Sequence, residues 1–287
     1  MSEGRLVVCA TPIGNLGDVT IRVIEALKAA DVIEAEDTRV TRKLLGRYDI
    51  VTPLEAYHAQ NLDRRTPEVV ARVADGAVVA LVSDAGTPGV SDPGAHLVDA
   101  CIDAGLTVEV LPGASAILTA LVASGLPTHA FYFGGFLPRK AGERVRALEK
   151  LATLDATLVF YESPRRAAAT LASLAEALPG RTAVVARELT KLHEEVARGE
   201  VGELAAAIAA RELKGEVVLL IGPPARGVSG ETVVPDAATL RAQVEALIAG
   251  GATRKDAVRA VSERTGVARN AVYDAAIGEK GTPARTV

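Results

Sequence analysis

The sequence predicts an α/β protein in which two α/β domains precede a small helical one. Three observations carry that reading. Short apolar runs alternate with amphipathic segments through the first half, the pattern of a parallel sheet covered by helices. Beyond about residue 125 the apolar runs crowd together, which argues for antiparallel pairs. A stretch rich in Gly, Pro and Ser at 223–236 then sets three short helical patterns apart from the rest. The expected boundaries are residues 1–120, 121–225, a linker at 226–236 and a helical domain at 237–287.

Taken in order, residues 6–10 form an apolar run that ends in T-P-I-G-N-L-G-D. Residues 20–30 follow with helical spacing of Ile21, Ile24 and Leu27, capped by Asp18 or Thr20. The run 32–35 is a second strand ending in Glu36-Asp37-Thr38-Arg39, and 41–47 and 69–75 read as helices. Residues 77–82 form a buried strand that empties into S-D-A-G-T-P-G-V-S-D-P-G. So much Gly and Pro builds an irregular loop whose backbone approaches a ligand closely. It lies at a strand end, where α/β proteins bind ligands. The loop lacks both G-x-G-x-x-G and G-x-x-x-x-G-K-[ST], so a nucleotide-sized ligand without phosphate suits it better. A helix at 95–104, a strand at 107–111 and the turn Pro112-Gly113-Ala114-Ser115-Ala116, which opens the next helix, complete this half. In the second half 131–136, 157–161, 182–188, 195–198 and 217–221 read as strands, and 144–151, 165–177 and 202–211 as helices. The tail reads as helices at 237–249, 254–264 and 269–277, the last two resembling a helix-turn-helix with its turn at Thr265-Gly266.

Composition narrows the function classes. A chain of 287 residues with 49% hydrophobic and 24% charged residues builds a sizeable globular core. Aromatics are 3% and Trp is absent, so the core is Ala, Val and Leu, and aromatic platforms for stacking single-stranded bases are disfavoured. A net charge of −4 excludes a protein-wide basic field, so any nucleic-acid contact uses a local patch. Arg254, Lys255, Arg259, Arg264 and Arg269 give the tail such a basic bias, readable as an RNA-contacting surface or as a packing cap. Cys9 and Cys101 read as buried free thiols, in keeping with a reducing cytoplasm. Neither a signal peptide nor a membrane span is expected. The four histidines are scattered without ligand spacing, so no metal site is expected.

Several polar groups sit at strand ends. Glu36 and Asp37 are placed to orient or deprotonate a hydroxyl, or to form a surface ion pair and a helix cap. Ser115 and Ala116 at a helix start suit a carboxylate or a close-lying ligand, or form a plain N-terminal turn. Arg165 and Arg166 suit phosphates or a carboxylate, or a solvated helix start. Lys191-Leu192-His193-Glu194-Glu195 reads as a substrate-facing or a solvated turn.

Together, T-P-I-G-N-L-G-D, E-D-T-R, S-D-A-G-T-P-G-V-S-D-P-G, L-P-G-A-S-A, F-G-G-F-L-P, Y-E-S-P-R-R and K-L-H-E-E occur in this order within residues 4–225. They resemble the tetrapyrrole methylase superfamily of S-adenosylmethionine-dependent methyltransferases. More narrowly they resemble its bacterial branch that methylates the ribose 2′-oxygen of a cytidine in 16S ribosomal RNA of the small subunit. The resemblance implies two α/β domains with S-adenosylmethionine in the cleft between them, a homodimer, and ribosomal RNA as partner; the acidic net charge favours the assembled small subunit over naked RNA as the form acted on. It implies cofactor contacts at Pro12, Asp84, Ala85, Gly86, Thr87, Val90, Ser115, Ala116, Glu162 and Pro223. Members acting on tetrapyrroles usually show G-G-D-P at the loop where this chain has D-A-G-T-P, which argues against a porphyrin substrate. For a ribose hydroxyl the expected proton acceptors are Glu36, Asp37 and Lys191, with Glu194 behind them and Arg39 and Arg165 clamping neighbouring phosphates. Two other readings stay open: methylation of a tetrapyrrole or other small molecule, and a non-catalytic RNA-binding assembly protein.

Overall fold

Period-two alternation decides how the first sheet is covered. In the computed structural model, which describes residues 4–224, 236–265 and 267–277, five strands pair in parallel: β1 (Arg5–Cys9), β2 (Val32–Ala35), β3 (Leu54–Ala56), β4 (Val78–Val82) and β5 (Thr107–Leu111). Their order is β3-β2-β4-β1-β5. Successive residues of β1 point to opposite faces. Val7 and Cys9 meet α1 (Ile21–Ala29) and α2 (Thr38–Arg47) through Val23, Leu27, Leu44 and Leu45. Leu6 and Val8 meet α3 (Leu62–Ala74) and α4 (Gly94–Asp103) through Val69, Val73, Leu97 and Cys101. The loop after β1 therefore leads to one face and the loop after its neighbour β4 to the other. A crevice opens where adjacent connections diverge in this way. Thr11 and Gly86 tie its base with reciprocal backbone hydrogen bonds of 2.8 and 2.9 Å.

The second sheet runs β6-β7-β10-β8-β9, from β6 (Phe131–Phe136), β7 (Thr157–Glu162), β8 (Thr182–Arg187), β9 (Glu195–Glu200) and β10 (Val217–Ile221). β6 and β7 are parallel; the other three pairs are antiparallel, as the crowding of strands suggests. One face carries Leu158, Phe160 and Leu219 against α6 (Ala141–Glu149), α7 (Pro164–Ala177) and α8 (Val201–Ala209). The other carries Val159, Val184 and Val218 against α5 (Ala116–Ser124) and Ile13 of the first loop. An element that follows β5 of the first sheet thus packs on the second.

Several elements differ from the sequence expectation, α6 among them, which begins at Ala141 rather than 144. The short strand β3 was not anticipated, because three residues are too few for alternation to register. α3 begins at Leu62, ahead of the apolar spacing, because its first turns bury Arg65 and Thr66 rather than hydrophobic side chains. α2 begins at Thr38, since Asp37 caps it by accepting from the Arg39 N–H at 2.8 Å. Thr20, not Asp18, caps α1.

The chain divides into two compact units, Met1–Ala225 and Arg226–Val287. Of the expected linker at 226–236, all but Asp236 lies outside the described residues. The second unit contains α9 (Ala237–Ala249), α10 (Arg254–Thr265) and α11 (Arg269–Ile277), closed around Leu240, Val244, Val258, Val261 and Val272. Gly266 of the expected turn lies outside the described residues. Cys9 and Cys101 are buried and free, and burial pushes the Cys9 thiol up to about 12. No described helix is long and apolar enough to cross a membrane.

Candidate active site

A cleft of about 440 Å³ opens where the β4 loop and the β5 turn face the carboxyl end of β7 and the amino end of β10. The β4 loop is held in shape before any ligand arrives. Gly86 and Gly89 adopt φ of +81° and +90°, conformations that side chains with a Cβ disfavour. Asp92 Oδ1 accepts from the N–H groups of Gly89 and Gly94 at 2.8 and 2.7 Å, pinning the loop's far end. At the β5 turn, a Cβ on Gly113 would lie 2.8 Å from that of Ala10, so the turn crosses the end of β1 only as glycine. Ser115 then caps α5, its hydroxyl accepting from the Leu118 N–H at 3.4 Å. The amino end of α5 thereby presents unsatisfied N–H groups and positive dipole to the cleft.

On the facing wall the Glu162 carboxylate is buried. It accepts from the Ser163 N–H at 2.8 Å and the Thr170 hydroxyl at 2.6 Å, and it pairs with Arg166 at 3.2 Å. Among the described residues, neither Lys nor Arg lines this cleft.

A second, more polar cavity of about 310 Å³ adjoins it and shares Ile13, Ala85 and Glu216 with it. Pro12, Lys43, Asp84 and Lys191 line this side. The first loop and the turn after β8 meet closely here: a Cβ on Gly14 would lie 2.6 Å from Lys191 Cγ. Asp84 Oδ1 accepts from the Asp37 N–H at 2.9 Å. Burial, reinforced by the charges of Asp37 and Asp92, nonetheless raises its pKa. Glu36 is raised as well, by burial first and then by Asp84, Asp92 and Asp37.

The structure sorts the residues expected from sequence. Ala85, Gly86, Thr87, Val90, Ser115, Ala116 and Glu162 converge on the first cleft, while Pro12, Asp84 and Lys191 line the polar cavity. Pro223 is a correction. β10 runs antiparallel to β7, pairing Val217 with Glu162, so its amino end reaches the cleft and Pro223 lies beyond its far end.

Lys191 is corrected as a proton acceptor. Burial works against its charge, but hydrogen bonds to Glu188 at 2.8 Å and Glu216 at 3.0 Å outweigh that and raise its pKa, so it stays protonated. Asp37 is a helix cap whose hydrogen bonds with Arg39 hold its carboxyl down at about 2, which leaves little basicity. Arg39 is 84% exposed and folds onto Asp37. Arg165 is exposed at the start of α7, and its neighbour Arg166 turns inward instead. Glu194 closes its own turn by accepting from the Thr190 N–H at 2.6 Å.

Ile13, Lys43, Phe136, Tyr161 and Glu216 join the two cavities without having been singled out. Phe136 sat within the quoted F-G-G-F-L-P motif. Nothing local marked Glu216, since only strand direction brings it there.

The profile of the tetrapyrrole (corrin/porphyrin) methylases matches residues 5–205. The chain is 52% identical over 223 residues to ribosomal RNA small subunit methyltransferase I of Mesorhizobium japonicum, covering 77% of this chain and 76% of that one. It is 43% identical over 272 residues to the protein of the same name from Halalkalibacterium halodurans, covering 95% and 94%. Among solved structures, diphthine synthase shares the fold with a TM-score of 0.61 at 15% identity, over 76% of this chain and 90% of that one.

Proposed function

The chain belongs to the tetrapyrrole (corrin/porphyrin) methylase family, and on that premise we propose that it methylates the ribose 2′-oxygen of a cytidine in 16S ribosomal RNA, with S-adenosylmethionine as methyl donor. The observation that carries the reading is the pair of adjoining cavities, one largely apolar and the other more polar, that share Ile13, Ala85 and Glu216. The residues of the first fit this cofactor. Ile13, Val90, Leu118 and Val218 offer apolar walls to an adenosine, and the amino end of α5 suits a carboxylate. Glu162 is already engaged by Arg166 and Glu216 by Lys191, and with no lysine or arginine among the described residues of the lining the cleft suits a ligand without phosphate. Bound there, S-adenosylmethionine supplies an electrophilic methyl group on a sulfonium centre.

The protein's own part is to hold the hydroxyl in the polar cavity and to accept its proton. Asp84 lines that cavity with a raised pKa, so we assign it the acceptor role, with Glu36 adjusting its basicity. The Lys191 ammonium, kept charged by two carboxylates, and Lys43 suit sugar-phosphate oxygens. Holding both partners in line supplies much of the rate gain in such a transfer. The relatives' names support RNA as the substrate, and the match to one of them over nine-tenths of both chains includes the tail. The same reading takes the chain as a homodimer acting on the assembled small subunit; Val110 on edge strand β5 and Val122 on α5 are exposed apolar side chains available to an interface.

Purified protein with isotopically labelled S-adenosylmethionine, given naked 16S ribosomal RNA or assembled small subunits, tests this. The expected product is 2′-O-methylcytidine at one position, identified by nuclease digestion and mass spectrometry. Label on a base atom, or no transfer to either RNA form, overturns it.

A further inference from the structure

We propose that the C-terminal three-helix unit holds the phosphodiester backbone of RNA in a basic groove between α10 and α11. The proposal rests on the reading of RNA as the substrate and adds a site to it. Arg254, Lys255, Val258 and Arg259 share one side of α10, at i, i+1, i+4 and i+5, and Arg269 and Tyr273 are i, i+4 neighbours on α11. These six, with Asp256, line one cavity of about 440 Å³.

Four cations therefore surround a single carboxylate. That carboxylate is already engaged: Asp256 accepts from the Thr253 hydroxyl at 2.6 Å and pairs with Arg259 at 3.2 Å. Arg254 and Lys255 are exposed and form no ion pair among the described residues. The core of the unit is closed by Val258, Val261 and Val272, so the exposed Arg254 and Lys255 are not needed to complete it.

Crowding like charges on one surface costs free energy that a polyanion relieves, and here the excess stands out locally against a chain that carries −4 as a whole. Tyr273, 48% exposed beside the cations, offers a ring on which a base can stack. Cations from two helices with one aromatic ring in the same cavity match a strand of phosphates better than one small anion.

Fluorescence anisotropy with full-length protein and labelled single-stranded 16S RNA fragments, across a series of potassium chloride concentrations, tests the groove. The variant Arg254→Ala/Lys255→Ala/Arg259→Ala is expected to bind at least about ten-fold more weakly. Its slope of log Kd against log salt should shrink by about 2, at ~0.7 per lost phosphate contact. S-adenosylmethionine affinity by calorimetry and the thermal transition should match wild type. Lys255→Glu alone, on an exposed face, should move affinity and slope in the same sense, and Tyr273→Phe should bind better than Tyr273→Ala. Wild-type affinity and slope in the triple variant overturn the groove, as does weaker binding with an unchanged slope. A wild type that binds RNA through these residues yet methylates none supports the groove and removes the proposed activity instead.

Discussion

Asp84 and Lys191 show how the surroundings of a side chain decide its role. Both line the polar cavity, yet burial and neighbouring anions make Asp84 more basic, while two carboxylates keep Lys191 protonated. Asp84→Asn should lower kcat by about 10²- to 10⁴-fold with S-adenosylmethionine affinity retained. Glu36→Gln should leave most of kcat but shift the acid limb of the pH–rate profile downward, because removing a neighbouring anion makes Asp84 easier to ionise. Steady-state kinetics over a pH range checks both, and a wild-type kcat in Asp84→Asn would falsify the assignment. Asp84 was legible as part of a ligand loop. Its chemistry was not, because Asp37 and Asp92 reach it only through the fold.

At the scale of elements, the join between β2 and α3 is a buried charge network. Glu34 is fully buried, and Arg65 bonds to it, to Glu55, and to Glu68 at 2.8 Å. Burial pushes the Glu34 carboxyl up while Arg65 pulls the other way. Removing the arginine strands the carboxylate, so Arg65→Leu should cost about 3–5 kcal/mol in denaturant unfolding. Adding Glu34→Gln should recover part of the loss. A loss below about 1 kcal/mol would show the network to be dispensable. Apolar spacing could not reveal this join, since period-3.6 reading registers hydrophobic side chains and the first turns of α3 bury polar ones. Every strand but β3 and most helices were legible, because their apolar faces are written locally.

For the whole molecule, opposing carboxylate shifts shape stability against pH. Glu36 and Asp84 are raised, so their favourable contribution is complete below the ordinary carboxylate range and is lost as pH rises through their folded values. Asp37 and Glu188 are lowered, the first to about 2, so theirs is present above that range and is lost on acidification. The double variant Glu36→Gln/Asp84→Asn should therefore melt a few degrees above wild type at neutral pH and coincide with it near pH 3. Calorimetric melts across pH check this; an equal gap at both ends would rule out charge as the cause.

By itself the sequence determined most of the segments that are strands and helices, that a glycine-rich loop follows β4, and that a basic helical tail follows a second α/β half. These are local matters of periodicity, caps and turn residues. Only the tertiary structure decided that β10 enters the second sheet antiparallel, between β7 and β8, and so brings Glu216 rather than Pro223 to the cleft. It also placed Asp84 and Lys191 in one cavity. Strand direction and the meeting of distant loops are fixed by pairing and packing with partners far along the chain, and a local pattern carries no information about those partners.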